Sequence, residues 1–424
     1  MSLHEQMRLM AEQSRESAFR LAAMSTDEKN ACLEAMASAL ENNQETILSE
    51  NAKDLEAGKT NGLTSALLDR LELTPKRFES MTAGLRQVIN LPDPIGKSLD
   101  ERSHPDGFKL VKTTTPLGVI VIIYESRPNV TVDAAGLCFK SGNATILRGG
   151  KEAIHSNQVL AKTLVEAATK TVSNFPAKAI QVVPTTDRAA IPELLSLTEY
   201  VDLCIPRGGE GLIRAVADCS KVPVIKHYKG ICSVYVDAEA DTNMAADIAV
   251  NAKTQRPGVC NAIENLLIAR SELSSSLPAI AEALLGAGVE LRCDSEAMAA
   301  LSKQGLPVKL ASEQDWSEEY LDLILSIKTV SDVDEAIQFI NRYGSAHSDA
   351  IVTPNEERAR RFLDQVDSSA VYWNVSTRYT DGGEFGMGAE IGISTDKVGA
   401  RGPMGLDELA SYKWIIVGDG QVRR

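Results

Sequence analysis

The chain has 424 residues, of which 44% are hydrophobic and 24% charged, an ordinary balance for a globular protein of two or three domains. Asp and Glu number 58 against 44 Lys and Arg, for a net charge of −14. That excess argues against a nucleic-acid binder and against a polybasic membrane anchor, so an anionic substrate must be held by local cations.

Seven cysteines stand at 32, 138, 204, 219, 232, 260 and 293. No two have C-x-x-C spacing and no Cys/His cluster has zinc-ligand spacing, so no metal is expected and the protein reads as reduced and cytoplasmic. The N-terminus is charged and helical rather than a signal peptide. No apolar run approaches the roughly 20 residues of a membrane span, so no membrane partner is expected.

Residues 3–92 read as helices. Ser25 and Glu28 form a capping box, and Thr74-Pro75 starts another helix. The stretches 28–41, 43–58 and 75–90 carry apolar residues at helical spacing and serve as scaffold. At Phe108 the pattern changes to an alternating strand, Phe108–Thr115. Gly118–Tyr124 is a continuous apolar run typical of a parallel sheet buried on both faces. Helices then alternate with strands: Val130–Lys140, Ala144–Arg148, His155–Thr169, Ala179–Val183, Arg188–Ser196, Val201–Pro206, Gly211–Ala217 and Val222–Ile225. That alternation predicts a doubly wound α/β domain with its crevice at the carboxyl ends of the strands.

The loops at those ends carry glycines and cations: Glu125-Ser126-Arg127-Pro128-Asn129, Arg148-Gly149-Gly150-Lys151 and Arg207-Gly208-Gly209-Glu210. Each suits phosphate, while a Gly-Gly pair taken singly is more often only a turn. The G-x-G-x-x-G dinucleotide fingerprint is absent. A second α/β segment starts at Val234. It continues through a helix at 242–252, a break at Pro257-Gly258, and a buried strand Ile263–Ala269. Cys260 lies in that break beside Arg256. A nearby cation or exposed backbone N–H groups would favour its thiolate, while a small buried hydrophobe is the plainer reading. The glycine-rich stretch from Trp373 to Gly405 is long enough to be functional, and Tyr412–Val417 is a late apolar strand.

These residues carry a resemblance. Thr115-Pro116-Leu117-Gly118-Val119, Lys140-Ser141-Gly142-Asn143-Ala144 and a cysteine after Gln-x-x-Gly resemble the aldehyde dehydrogenase superfamily. More specifically, Glu125–Val130, Gln255–Asn261, Gly382–Gly392 and Arg401–Leu406 are similar to the γ-glutamyl phosphate reductase family over nearly the whole chain. The resemblance implies an α/β, aldehyde dehydrogenase-like fold of two doubly wound domains with a small β oligomerisation element. Residues 1–100 and 119–228 would form the NADP(H)-binding domain, 229–407 the catalytic domain with Cys260, and 101–118 with 408–424 the β element. It also implies reduction of L-glutamyl 5-phosphate by NADPH to the semialdehyde and phosphate, in proline biosynthesis, with functional coupling to glutamate 5-kinase.

Within that frame Cys260 attacks the acyl phosphate and forms a thioester. Hydrolytic relatives carry a glutamate base in the segment corresponding to Val222–Ile231, which here holds no carboxylate. His227, in that segment, is a structural, substrate-binding or acid–base residue. Asn129 is the oxyanion candidate with the Cys260 backbone N–H, while Arg127 and Arg256 are candidates to grip substrate. Arg148, Gly149, Lys151, Gly208 and Gly209 are the cofactor-binding candidates, with Arg148 and Lys151 favouring a 2′-phosphate and so NADPH. A CoA-acylating aldehyde dehydrogenase and a non-catalytic nucleotide-binding oligomer are the alternatives. The strands Phe108–Thr115 and Tyr412–Val417 have no evident place in either domain. They are expected to be covered by a partner's strand in a homodimer or larger homo-oligomer, or else to pair with each other within one chain.

Overall fold

A computed structural model describes residues 1–423; Arg424, the last residue of the expected β element, lies outside the described residues. The N-terminal helices begin where the sequence marks them. Ser25 Oγ accepts from the Glu28 N–H and Glu28 Oε2 accepts from the Ser25 N–H, a reciprocal cap that opens the helix Thr26–Asn42. The Thr74 side chain caps the helix Pro75–Asn90, with Pro75 at its first position.

Contacts divide the chain into two compact units. The first is Met1–Lys226 with Gly386–Gly392 and the chain from Met404 onward; the second is His227–Phe385 with Ile393–Pro403.

In the first unit β1 (Ser98–Ser103) and β2 (Lys109–Pro116) precede β3 (Val119–Tyr124), β4 (Ala144–Arg148), β5 (Ile180–Val182) and β6 (Leu203–Arg207). The last four form a parallel sheet in the order β5–β4–β3–β6. Strands β3 and β4 are buried along their whole length, as a two-sided sheet requires. The strand order reverses between β3 and β6, which opens a crevice at their carboxyl ends. The expected strand Val222–Ile225 is reduced to a single parallel bridge between Val224 and Cys204. Pro223 has no N–H to extend a ladder.

The second unit holds β7 (Cys232–Val236), β8 (Ile263–Ala269), β9 (Glu290–Cys293), β10 (Lys309–Leu310), β11 (Ile324–Val330), β12 (Ser348–Val352) and β13 (Ala370–Trp373). They form one parallel sheet, β10–β9–β11–β8–β7–β12–β13. Side chains alternate between two cores. Val234, Leu266, Ile327 and Ala350 pack with the helices Thr242–Thr254 and Ser276–Gly286. Tyr235, Leu267 and Ile351 pack with Val333–Tyr343 and Phe362. This is the period-two pattern of a sheet covered on both faces. Further on, β14 (Gly392–Ser394) and β15 (Gly402–Met404) pair as a short ribbon.

The last strand, β16 (Ala410–Val417), answers the question the sequence left open. It pairs antiparallel with β2 over all eight of its residues, within one chain, and β1 completes a three-stranded sheet β1–β2–β16. Cover by a partner's strand is therefore not needed to pair these two segments. Strand β16 is an edge strand, and Tyr412, Trp414, Ile415, Ile416 and Val417 on it are exposed.

Candidate active site

Within the first unit a cavity of about 700 Å³ opens at the carboxyl ends of the parallel strands. Glu125 and Ser126 after β3, Arg148 and Lys151 around the end of β4, and Arg188 after β5 face it, with an apolar wall that includes Leu67, Ile191 and Leu212. Arg148 is only 8% exposed. Its guanidinium donates to the carbonyls of Gly149 at 2.7 Å and Thr186 at 3.0 Å, tying the β4 loop to the β5 loop. Burial and then the positive charge of Arg188 lower its pKa. Lys151 and Arg188, by contrast, are exposed along this cavity. Glu152 also faces it, with its carboxylate accepting from Ser126 Oγ at 3.0 Å.

The glycines here have specific reasons. A Cβ on Gly149 would sit 2.2 Å from the Asn157 amide and 2.9 Å from the Tyr124 ring, so this residue serves loop packing. A Cβ on Gly208 would meet Leu212 and the Glu125 side chain at 2.7 and 2.8 Å. Glu125 Oε1 accepts from the Gly209 N–H at 2.9 Å, directly ahead of the helix Glu210–Cys219. A carboxylate thus stands where sequence reasoning expected a phosphate. Asn129 opens the helix Asn129–Lys140, and its amide donates to Asp133 at 3.0 Å. Arg127 is exposed in the turn before it.

Cys260 lies in the second unit, partly exposed, in the turn between the helix Thr242–Thr254 and β8. It sits at the amino edge of its sheet, since β8 begins at Ile263. The turn is fixed by backbone contacts. The Ala262 N–H donates to Val259 O, the Cys232 thiol approaches Cys260 O at 3.2 Å, and a Cβ on Gly230 would fall 2.1 Å from Cys260 O. Only glycine allows that approach. Asn261 donates to Thr380 O at 2.8 Å, and Thr377 Oγ1 donates to Asn261 O at 2.7 Å. Those bonds bring Arg378 to the site, where its Nε donates to Gln255 Oε1 at 2.7 Å. Burial and the neighbouring charge of Arg256 lower the Arg378 pKa, while a Cys260 thiolate works in the opposite direction. Arg378 is thus close enough for its charge to act on the Cys260 thiol, whereas sequence reasoning singled out only Arg256. The sole hint of Arg378 was its place in the polar stretch after Trp373.

His227 lies edge-on to His347, with ring centroids 5.9 Å apart. His347 is fully buried, bonds Ser348 through Nδ1 at 2.8 Å, and is pushed down to about 3 by burial and then by His227. Among the described residues no group of His, Cys, Asp and Glu side chains is arranged to hold a metal ion.

A family model, the aldehyde dehydrogenase family, matches residues 2–302 and 311–415. The γ-glutamyl phosphate reductase of Opitutus terrae is 53% identical over 416 residues, covering 98% of this chain and 97% of that protein. The chain belongs to the aldehyde dehydrogenase family, among its γ-glutamyl phosphate reductases. A crystal structure of the Thermotoga maritima γ-glutamyl phosphate reductase superposes with a TM-score of 0.95 at 42% identity, covering 99% of this chain and all of that one. An acetylating aldehyde dehydrogenase from Geobacillus thermoglucosidasius shares the fold with a TM-score of 0.66 at 16% identity, covering 100% and 98% of the two chains.

This member of the family is thus an oxidoreductase with an aldehyde dehydrogenase fold, and the family implies a nicotinamide cofactor. The first-unit cavity fits such a group. Its volume lies in the range of about 300–1,000 Å³ usual for ligand sites, and it combines an apolar wall with exposed cations.

Proposed function

We propose that the chain reduces L-glutamyl 5-phosphate to L-glutamate 5-semialdehyde and phosphate through a thioester on Cys260, with NADPH as reductant. The observation that carries this reading is end-to-end similarity to proteins named γ-glutamyl phosphate reductase, together with a cysteine on a glycine-packed turn whose thiolate would interact with the Arg378 guanidinium. The Cys260 sulfur attacks the acyl carbon, the carbon–oxygen bond to phosphate breaks, and phosphate leaves with the electron pair. The Cys260 backbone N–H is a donor for the developing oxyanion. When bound, the cofactor supplies the hydride that turns the acyl carbon into an aldehyde. The Cys260 sulfur then leaves as thiolate, and Arg256 and Arg378 offset its charge. Residues 222–231 contain no carboxylate, so that segment offers no base to activate water against the thioester.

Lys151 and Arg188 support the choice of NADPH, because both present charge to the cavity while Arg148 is held by two carbonyls. We place the reaction in the cytoplasm, in keeping with seven cysteines that form no disulfide among the described residues. The exposed outer edge of β16 supports a homo-oligomer built on the three-stranded sheet. Functional coupling to glutamate 5-kinase follows from the short life of an acyl phosphate in water.

The reaction is tested in reverse. Glutamate 5-semialdehyde should reduce NADP⁺ only when inorganic phosphate is present. Turnover supported by coenzyme A in place of phosphate would make the chain an acylating aldehyde dehydrogenase instead.

A further inference from the structure

The turn that carries Cys260 is tied at its base by an ion pair. Lys253 lies in the last turn of the helix Thr242–Thr254, and Glu264 is the second residue of β8. Their charged groups are 2.5 Å apart and both side chains are fully buried. The pair joins positions 11 residues apart and so closes the segment that presents the thiol. Burial pushes the Glu264 carboxyl up and the Lys253 ammonium down. Taking two charges out of water is costly, and apolar residues of similar volume commonly hold such a place at least as stably. Stability alone therefore gives no account of an ion pair here.

The surroundings connect the pair to the thiol from a second side. Glu264 Oε1 accepts from the Leu321 N–H at 3.4 Å, and Leu321 has φ of +54°, uncommon for a branched residue. From the same turn Glu319 Oε1 accepts from the Gly230 N–H at 2.7 Å. Gly230 in turn lies against the Cys260 backbone, with no room for a side chain. One turn thus contacts both the base of the cysteine segment and the wall against which Cys260 rests.

We propose that Lys253 and Glu264 are positioning residues for Cys260: the buried pair fixes the two ends of the Thr254–Ile263 segment so that the sulfur is held in attack geometry. The inference rests on the reading of Cys260 as nucleophile. Hydrogen-bonded charges tolerate little variation in length or angle, whereas packed aliphatic groups slide. An apolar replacement should keep the fold and loosen the thiol.

The test is the double variant K253M/E264L in the full chain. Measured together are its melting temperature, its NADPH dissociation constant, kcat and KM in the phosphate-dependent reverse reaction, and the rate at which iodoacetamide labels Cys260 relative to Cys219. A folded variant with unchanged NADPH affinity, KM within about twofold, kcat at least about tenfold lower and a similar change in relative Cys260 labelling is expected. Parent-like kcat and labelling in a folded double variant would overturn the proposal. If that variant does not fold, E264D keeps both charges and shortens the reach by one methylene; a parent-like kcat there overturns the proposal and a fall of about tenfold supports it. C260A separates the two ideas. Activity surviving in C260A defeats the nucleophile itself, whereas an inactive C260A beside a parent-like double variant defeats the positioning role alone.

Discussion

The two units place their candidate sites on opposite edges of their own sheets. In the first, the cavity lies at the carboxyl ends of the strands, where the order β5–β4–β3–β6 reverses. In the second, Cys260 lies at the amino edge, ahead of β8, and Gly230 lies ahead of β7. The crevice rule for open α/β sheets accounts for the first site and not for the second. A cofactor-sized ligand needs a wide cleft, and strand reversal supplies one. The proposed nucleophile needs a fixed atom, and the Cys260 turn is held by backbone packing and by the buried Lys253–Glu264 pair. The first site thus presents the exposed cations Lys151 and Arg188 to a cavity, while the second holds Cys260 on a turn packed against Gly230 and tied through Asn261.

The comparison breaks most sharply at the thiol. Cys260→Ala should lower kcat by about a thousandfold or more while NADPH binding stays at the parent value, since the cavity belongs to the other unit. The check is steady-state kinetics beside a fluorescence titration of NADPH. Residual activity within about tenfold of the parent would remove Cys260 from the mechanism.

A smaller effect is expected in the cavity. Arg188→Ala should weaken NADPH binding about tenfold, about 1.4 kcal/mol, and leave NADH binding unchanged, because only NADPH carries the extra phosphate. Arg148→Ala should weaken both cofactors alike and lower the melting temperature, because its guanidinium joins the Gly149 and Thr186 carbonyls. Titrating both cofactors into both variants checks this. Equal losses for the two cofactors in Arg188→Ala would assign Arg188 to a contact they share.

What the sequence made legible follows from the range of each interaction. Helix caps at Ser25 and Thr74, the apolar strands β3 and β8, and the break at Pro257-Gly258 are local signals, and all of these elements form. Two glycine loops were legible as loops but not in detail. Gly149 answers to Asn157 and Tyr124, and the Gly208-Gly209 pair to Glu125, contacts that no spacing rule reveals. Arg378 and Gly230 reach Cys260 only through strand order and backbone approach. The pairing of β2 with β16 is the same lesson at larger scale. Each strand is visible alone, while its partner is set by the path of the chain between them.

A buried acid in the first unit and a buried base in the second are shifted in opposite directions, and this gives the finest test. Asp133 in the first unit is pushed up from 3.8 to about 6 by burial, against the opposing Asn129 hydrogen bond. Between those values the native state holds a proton that the unfolded chain has lost, so stability falls as pH rises. His347 in the second unit is pushed down from 6.5 to about 3, chiefly by burial. There the unfolded chain binds a proton that the native state refuses, so stability falls as pH falls. Each slope approaches about 1.4 kcal/mol per pH unit, and where the windows overlap the two oppose each other. Asp133→Asn should remove the first slope and leave a protein that loses stability more steeply on acidification than the parent. His347→Gln should do the reverse and flatten the acid side. Chemical denaturation of both variants from about pH 4 to about pH 7 measures the slopes. Parallel curves for the two variants would mean that neither group keeps its buried state in solution.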